Sequence, residues 1–260
     1  MKLCMAANWK MHKTQEQARE TAAQLAHALD AKLPQDREVV LIPPFTALRA
    51  VAEGLGSRPD FFLGAQNFYP AEQGAYTGEI NPDMLLDHGC SYALAGHSER
   101  RHVVGESNEF VAHKVRFGLD KGLRIILCIG ETLAQRENGQ LQEVLQGQLK
   151  TALSGLQETD LENQLLVAYE PVWAIGTGKV AKQEDIAHAH SFVREQLLAL
   201  VPHAGPKVRI LYGGSVKPDN IDHIIGIDNV NGVLVGGAGL EAKSMAQIAM
   251  GASRSQETKL

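Results

Sequence analysis

The run Leu165-Leu166-Val167-Ala168-Tyr169-Glu170-Pro171-Val172-Trp173-Ala174-Ile175-Gly176-Thr177-Gly178-Lys179 decides the fold class. Its first five residues are apolar in succession, which reads as a parallel strand buried on both faces, and such strands belong to sheets covered by helices. Glu170 therefore falls where a strand ends and a loop begins, within reach of solvent and of a substrate. The residues that follow set the rigid Pro171 and the permissive Gly176 and Gly178 around an apolar centre, the make-up of a hinged flap that brings its own water-excluding surface. A surface loop with an incidental glutamate satisfies this stretch alone equally well.

Runs of the same kind recur on both sides: Leu3 to Asn8, Val39 to Ile42, Phe61 to Ala65, Tyr92 to Ala95, Arg124 to Ile129, Val208 to Tyr212 and Val233 to Val235. Helical patterns separate them. Thr14-x-x-Gln17 reads as a capping box ahead of Ala18, Ala22, Leu25 and Leu29, and Pro43-Pro44 stops the second strand before a helix through Leu48, Val51 and Leu55. Asn81-Pro82 offers an N-cap and first-turn pair, and a helix from Asn108 to Lys121 closes at Gly122. Helical segments run from Leu133 to Leu153, and Ile186, Val193, Leu197 and Leu200 share one face with His190. Ser215 is expected to cap a short helix with Pro218 in its first turns, and Gly236-Gly237-Ala238-Gly239 to open the last helix. The loop from Gln66 to Ile80 exceeds the usual connection length and asks for a role.

Eight strands alternating with helices are consecutive βαβ units, and the 260 residues are close to the ~250 typical of a closed eight-fold β/α barrel. An open doubly wound sheet would usually carry a Gly-rich fingerprint after its first strand, where this chain has Asn8-Trp9-Lys10. Apolar residues make up 44% and charged residues 21%, which excludes disordered, collagen-like and coiled-coil classes. The formal net charge of -5 argues against a nucleic-acid partner, and any anionic substrate must be held locally. Cys4, Cys90 and Cys128 are too few and too scattered for a disulfide framework or a zinc site, which points to a reducing, cytoplasmic compartment. Met1 to Ala7 lacks a small-residue cleavage pattern, so it is expected to be the first strand, with no membrane association.

In a β/α barrel the site gathers on the rim at the C-terminal ends of the strands. The unusual polar residues fall there: Asn8 and Lys10 after the first strand, His97 and Glu99 after the fourth, Glu131 after the fifth, Glu170 after the sixth and Ser215 after the seventh. Gly213-Gly214-Ser215 and Gly236-Gly237 follow the seventh and eighth strands, where barrels hold phosphate on exposed backbone N–H groups, and Gly176 would add further donors as the flap closes.

Asn8-Trp9-Lys10, Gln66-Asn67 with Gly74-x-x-Thr77-Gly78-Glu79, Gly96-His97-Ser98-Glu99-Arg100-Arg101, Cys128-Ile129-Gly130-Glu131, the flap from Tyr169 to Lys179, Tyr212-Gly213-Gly214-Ser215-Val216 and Gly236-Gly237-Ala238 together resemble the triosephosphate isomerase family, in order, from residue 3 to about 250. The resemblance implies a (β/α)8 TIM barrel with residues 1–260 as one domain. It also implies interconversion of dihydroxyacetone phosphate and glyceraldehyde 3-phosphate through an enediolate, a step of glycolysis and gluconeogenesis. Glu170 is then the carbon base, its proton affinity raised by desolvation beneath the flap. His97 is the neutral imidazole that serves the developing oxyanion, an arrangement the triosephosphate isomerases themselves illustrate. Lys10 supplies fixed positive charge, and Asn8 a hydrogen bond to the carbonyl region. Gly176, Ser215, Gly236 and Gly237 bind the phosphate together with Asn8 and Lys10, while Glu99, Thr77, Cys128, Glu131 and Arg101 support the site. Trp9 is assigned to packing.

The resemblance also implies a homodimer, in which the long third loop reaches into a second copy, Thr77 approaches that copy's site and Met11 is covered. No metal or organic cofactor is needed for a proton transfer. Two positions depart from the family pattern: Gly239 stands where Ser is usual and would cap the last helix, and Ala7 stands where Gly is frequent. A catalytically retired barrel kept as a binding protein would lose Glu170, His97 or Lys10, and all three are present. Another phosphate-binding barrel enzyme, such as an aldolase, would need a lysine within a strand, and the strands offer no convincing one.

Overall fold

The structure is a computed structural model and describes residues 1–161, 163–176 and 181–252. Eight parallel strands pair in chain order and close on themselves: β1 (Leu3–Asn8), β2 (Arg37–Ile42), β3 (Phe61–Ala65), β4 (Cys90–Ala95), β5 (Arg124–Ile129), β6 (Leu165–Tyr169), β7 (Arg209–Tyr212) and β8 (Gly232–Val235). β1 completes the ring by pairing Cys4 to Ala7 with Gly232 to Val235. The first five residues of the quoted run, Leu165–Tyr169, are thus one stave of a closed barrel, buried along its whole length.

The helices among the described residues are α1 (Gln15–Ala28), α2 (Leu48–Leu55), α3 (Pro82–Asp87), α4 (Ser98–His102), α5 (Asn108–Asp120), α6 (Leu133–Glu137), α7 (Leu141–Leu153), α8 (Gln183–Leu200), α9 (Ile221–Ile225) and α10 (Ala242–Ala249). Local chemistry starts several of them. The Thr14 N–H donates to the Gln17 side chain at 3.0 Å ahead of α1, and Asn81 Oδ1 accepts from the Met84 N–H at 2.9 Å at the start of α3.

Strand periodicity sorts the apolar residues into two cores. Cys4, Ala6, Val40, Ile42, Tyr92, Leu94, Ile126, Cys128, Leu166, Ala168, Leu211 and Leu234 fill the barrel interior. The alternate residues, such as Met5, Val39, Leu41, Ile125, Leu127 and Val167, pack outward beneath the helices.

Several boundaries differ from the sequence reading for a physical reason. β2 starts at Arg37, two residues before the apolar run, because its charges are satisfied inside. Arg37 Nη1 donates to the carbonyls of Ala249 and Gly251 at 2.9 and 2.6 Å, while Glu38 accepts from Tyr92 Oη and Arg209 Nη1, each at 2.6 Å. β4 likewise begins at Cys90 and β8 at Gly232, while β7 begins one residue late at Arg209. His190 does lie on the buried face of α8, with Nδ1 donating to the Asn229 carbonyl at 3.1 Å. Burial pushes its imidazole down to about 4.

Two expected caps are not formed. α9 starts at Ile221, well beyond Ser215; the intervening segment is a turn closed by Asn220, whose Oδ1 accepts from the Lys217 N–H at 2.8 Å and whose Nδ2 donates to the Ser215 carbonyl at 3.1 Å. α10 starts at Ala242 after a 3-10 turn, Gly237–Leu240. Gly239 therefore lies inside a turn and is buried, with Glu241 in the cap position.

Candidate active site

A cavity of about 550 Å³ opens at the C-terminal ends of the strands. Asn8, Lys10, His97, Glu170, Gly176, Ser215, Gly236 and Gly237 all line it. These are the eight residues expected to act on or bind a ligand, and they come from the last residue of β1 and the loops after β1, β4, β6, β7 and β8.

Glu170 follows the last residue of β6 and is 2% exposed. Its Oε2 accepts the Ser98 N–H at 2.9 Å, and its Oε1 lies 3.0 Å from His97 Nε2. Gly213 leaves the room for this side chain, since a Cβ there would stand 2.9 Å from Glu170 Cγ. His97 is the residue before α4, and the Glu99 N–H points at its Nδ1 at 3.3 Å. Nδ1 is thereby the acceptor, which leaves the proton on Nε2, where it is donated to Glu170.

Burial is the largest influence on both groups and disfavours either charge. Their mutual attraction outweighs it, so Glu170 is held below the usual carboxylate range, with help from the Ser98 N–H and Lys10, and the His97 imidazole is held above its ordinary value. Both directions depend on the two groups facing each other. They run opposite to the raised Glu170 that desolvation alone would give.

Lys10 adopts a left-handed backbone, φ +52°, which is uncommon for a side chain with a Cβ. Two hydrogen bonds hold it: the Lys10 N–H donates to Asn8 Oδ1 at 2.9 Å, and Gln66 Nε2 donates to the Lys10 carbonyl at 2.7 Å. With its oxygen engaged, Asn8 keeps its amide N–H groups for other acceptors. Lys10 Nζ pairs with Glu99 Oε1 at 2.6 Å. Glu99 is half exposed and does not line the cavity; it meets the site through its contacts with Lys10 and His97.

The supporting residues fix the rim. Arg101 donates to the carbonyls of Gly96 and Cys128 at 2.7 and 3.1 Å, tying the end of β4 to β5. Glu131 is fully buried; its Oε1 accepts from Trp173 Nε1 at 2.7 Å and Tyr169 Oη at 3.1 Å, and its carbonyl accepts the Val172 N–H at 3.1 Å. The base of the flap is therefore anchored to β5, and burial raises the proton affinity of Glu131. Cys128 lies in the barrel interior, its thiol pushed well above the ordinary range by burial and then by Glu170, which makes it a packing residue.

Thr77 is exposed in the third loop and does not line the cavity of its own chain. Of the flap, Thr177, Gly178 and Lys179 lie outside the described residues. At Gly237 a Cβ would meet nothing within 4 Å, so no backbone or packing constraint demands glycine there. Trp9 does more than pack, since its Nε1 donates to the Gly239 carbonyl at 2.9 Å.

Sequence reasoning missed four contributors. Ser98 and Gln66 stand inside quoted motifs, where their neighbours drew the attention. Lys217 lines the cavity two residues past Ser215, a spacing that could have drawn notice, whereas His12, also in the wall, carries no local signal.

A family model described as Triosephosphate isomerase matches residues 3–252. A triosephosphate isomerase of Nitratidesulfovibrio vulgaris (strain Miyazaki F) is 56% identical over 248 residues, 95% of this chain and 99% of the relative. One of Oleidesulfovibrio alaskensis is 55% identical over 248 residues, with the same shares of 95% and 99%, and one of Lawsonia intracellularis 48% identical over 248 residues, 95% and 97%.

Proposed function

Because the chain belongs to the triosephosphate isomerase family, we propose that Glu170, His97, Lys10 and Asn8 carry out its proton transfer and that the turns at Ser215 and Gly236-Gly237, with Gly176, hold the substrate phosphate. The chain is an aldose–ketose isomerase that interconverts dihydroxyacetone phosphate and glyceraldehyde 3-phosphate through an enediolate, a step shared by glycolysis and gluconeogenesis. The observation that carries the assignment of roles is the meeting of a buried carboxylate, an Nε2-protonated imidazole and an ammonium in one cavity whose remaining wall includes two Gly-rich turns.

Moving a proton between adjacent carbons needs a base that can reach both and a donor for both oxygens. Glu170 takes the proton from one carbon and returns it to the next. His97 Nε2–H and the Asn8 amide serve the oxygens as negative charge develops, and Lys10 holds a positive charge beside them. Glu170 now accepts from His97 and Ser98, so a substrate oxygen that takes over the His97 N–H releases the carboxylate toward carbon. Closure of Ile175 over it then removes water and raises its proton affinity. No redox work arises in this exchange, and no cofactor is required.

The same reading treats residues 1–260 as one domain and extends to a homodimer. Met11 is 94% exposed and Val103 82% exposed, and the long loop carries Thr77 away from its own cavity, features that suit cover by a second copy. A cytoplasmic setting accords with three buried free cysteines. Among the described residues no helix is long and apolar enough to cross a membrane. A coupled isomerase assay on the purified chain, with sedimentation at the assay concentration, tests these assignments. Turnover in both directions by a dimer is expected; a chain that binds the triose phosphate without turning it over would overturn the roles given to Glu170 and His97.

A further inference from the structure

Trp9 stands between Asn8 and Lys10, and its side chain is fully buried. Its indole N–H nevertheless reaches the loop after the adjacent strand β8, donating to the Gly239 carbonyl, 2.9 Å away and 230 residues along the chain. Gly239 belongs to the turn Gly237–Leu240 and closes it from within, its own N–H donating to the Gly236 carbonyl at 2.8 Å. Gly239 is thus held at both its N–H and its carbonyl.

Two further contacts come from the same short segment. The methyl of Ala7 fills the space beside Gly239, where a Cβ would stand only 2.9 Å from Ala7 Cβ. Lys10 Cε lies 3.5 Å from the Cβ position of Gly236. Residues 7 to 10 therefore deliver Asn8 and Lys10 to the cavity and, through Ala7 and Trp9, hold the turn that forms the neighbouring part of its wall, after β8.

We propose that Trp9 is a positioning residue for phosphate binding: its N–H fixes the Gly236-Gly237 turn at the distance from Lys10 at which one phosphate meets both. The proposal rests on the reading of those turns as the phosphate site. A buried carbonyl deprived of its donor seeks another, and the turn can move to find one because Gly236 and Gly237 have no side chains to pin it. A misplaced turn weakens substrate and transition state alike, since the phosphate does not change during the reaction.

The test replaces Trp9 by 3-benzothienylalanine, which keeps the two-ring shape and exchanges N–H for sulfur, with Trp9→Phe as the encodable partner. Inhibition by inorganic phosphate, KM and kcat are measured on each. The inhibition constant and KM are expected to rise together by about tenfold, equivalent to ~1.4 kcal/mol, with a smaller change in kcat. Trp9 is no positioning residue if the benzothienyl enzyme, folded and active, binds phosphate as tightly as the parent, or if kcat falls while the phosphate constant stays. A parent enzyme that turns over triose phosphate yet ignores inorganic phosphate would instead overturn the reading of the turns, and this proposal with it.

Discussion

Gly239 and Ala7, where the resemblance leads to an expectation of Ser and Gly, meet in space. A Cβ built on Gly239 stands 2.9 Å from Ala7 Cβ, 3.5 Å from Ala7 Cα and 3.6 Å from Val235 Cγ1. Carbon atoms pack best at about 3.5–4.0 Å, so Gly239→Ser forces an overlap of more than half an ångström against a methyl fixed to β1. Overpacking of this kind costs about 1–3 kcal/mol. With an unfolding entropy of about 2.1 cal/mol/K per residue, or about 0.5 kcal/mol/K for this chain, the unfolding midpoint should fall by about 2–6 °C. Ala7→Gly alone should cost about 0.5–1 kcal/mol through backbone freedom in a strand. The double variant removes the overlap, so the cycle should show a favourable coupling of about 1 kcal/mol or more. Thermal unfolding of the four proteins at one fixed concentration measures it, so that any self-association contributes equally to each midpoint. KM should follow the same pattern, rising with Gly239→Ser and recovering in the double variant. Effects that add within about 0.5 kcal/mol, or a Gly239→Ser protein at least as stable as its parent, would refute the steric coupling.

Lys10→Ala should remove most activity while leaving the cooperative unfolding intact, and added salt should not restore it; wild-type turnover would exclude its electrostatic role. Gly213→Ala puts a methyl 2.9 Å from Glu170 Cγ and should lower kcat by about 100-fold through displacement of the base; unaltered turnover would show that Glu170 does not work from this place. The folded state holds Glu170 below its unfolded value of about 4.3, so the stabilisation it contributes is complete above that value and is lost as pH falls through the folded one. His97→Gln removes the strongest of the effects that lower Glu170, and acid unfolding followed by circular dichroism should then begin at higher pH; an unmoved midpoint would mean that the pair is not coupled.

The barrel was legible because both its periodicities are local. Strands buried on two faces read as unbroken apolar runs, and Leu165 to Tyr169, Phe61 to Ala65 and Arg124 to Ile129 matched to the residue. Arg37 and Glu38 escaped notice because their partners, Ala249, Gly251, Tyr92 and Arg209, lie far away in sequence. The caps assigned to Ser215 and Gly239 failed for a related reason. Their local sequences permit a helix start, but the side chain of Asn220 and the indole of Trp9 engage those backbones first. Within the site, Glu170, His97 and Lys10 could be found from strand ends and motif resemblance. Their mutual electrostatics could not, because the shifts arise from a 3.0 Å contact between residues 73 positions apart.

Glu170 as the carbon base is tested most directly by running dihydroxyacetone phosphate in deuterium oxide with the parent and with Glu170→Asp, following turnover and carbon-bound deuterium by proton NMR. The parent should place solvent deuterium on the product carbon. The variant, with its carboxylate withdrawn by one methylene, should lose about 100-fold or more in kcat while KM and phosphate inhibition change little. Turnover within threefold of the parent, on the scale of that ~100-fold expectation, with unchanged deuterium incorporation, would contradict the assignment.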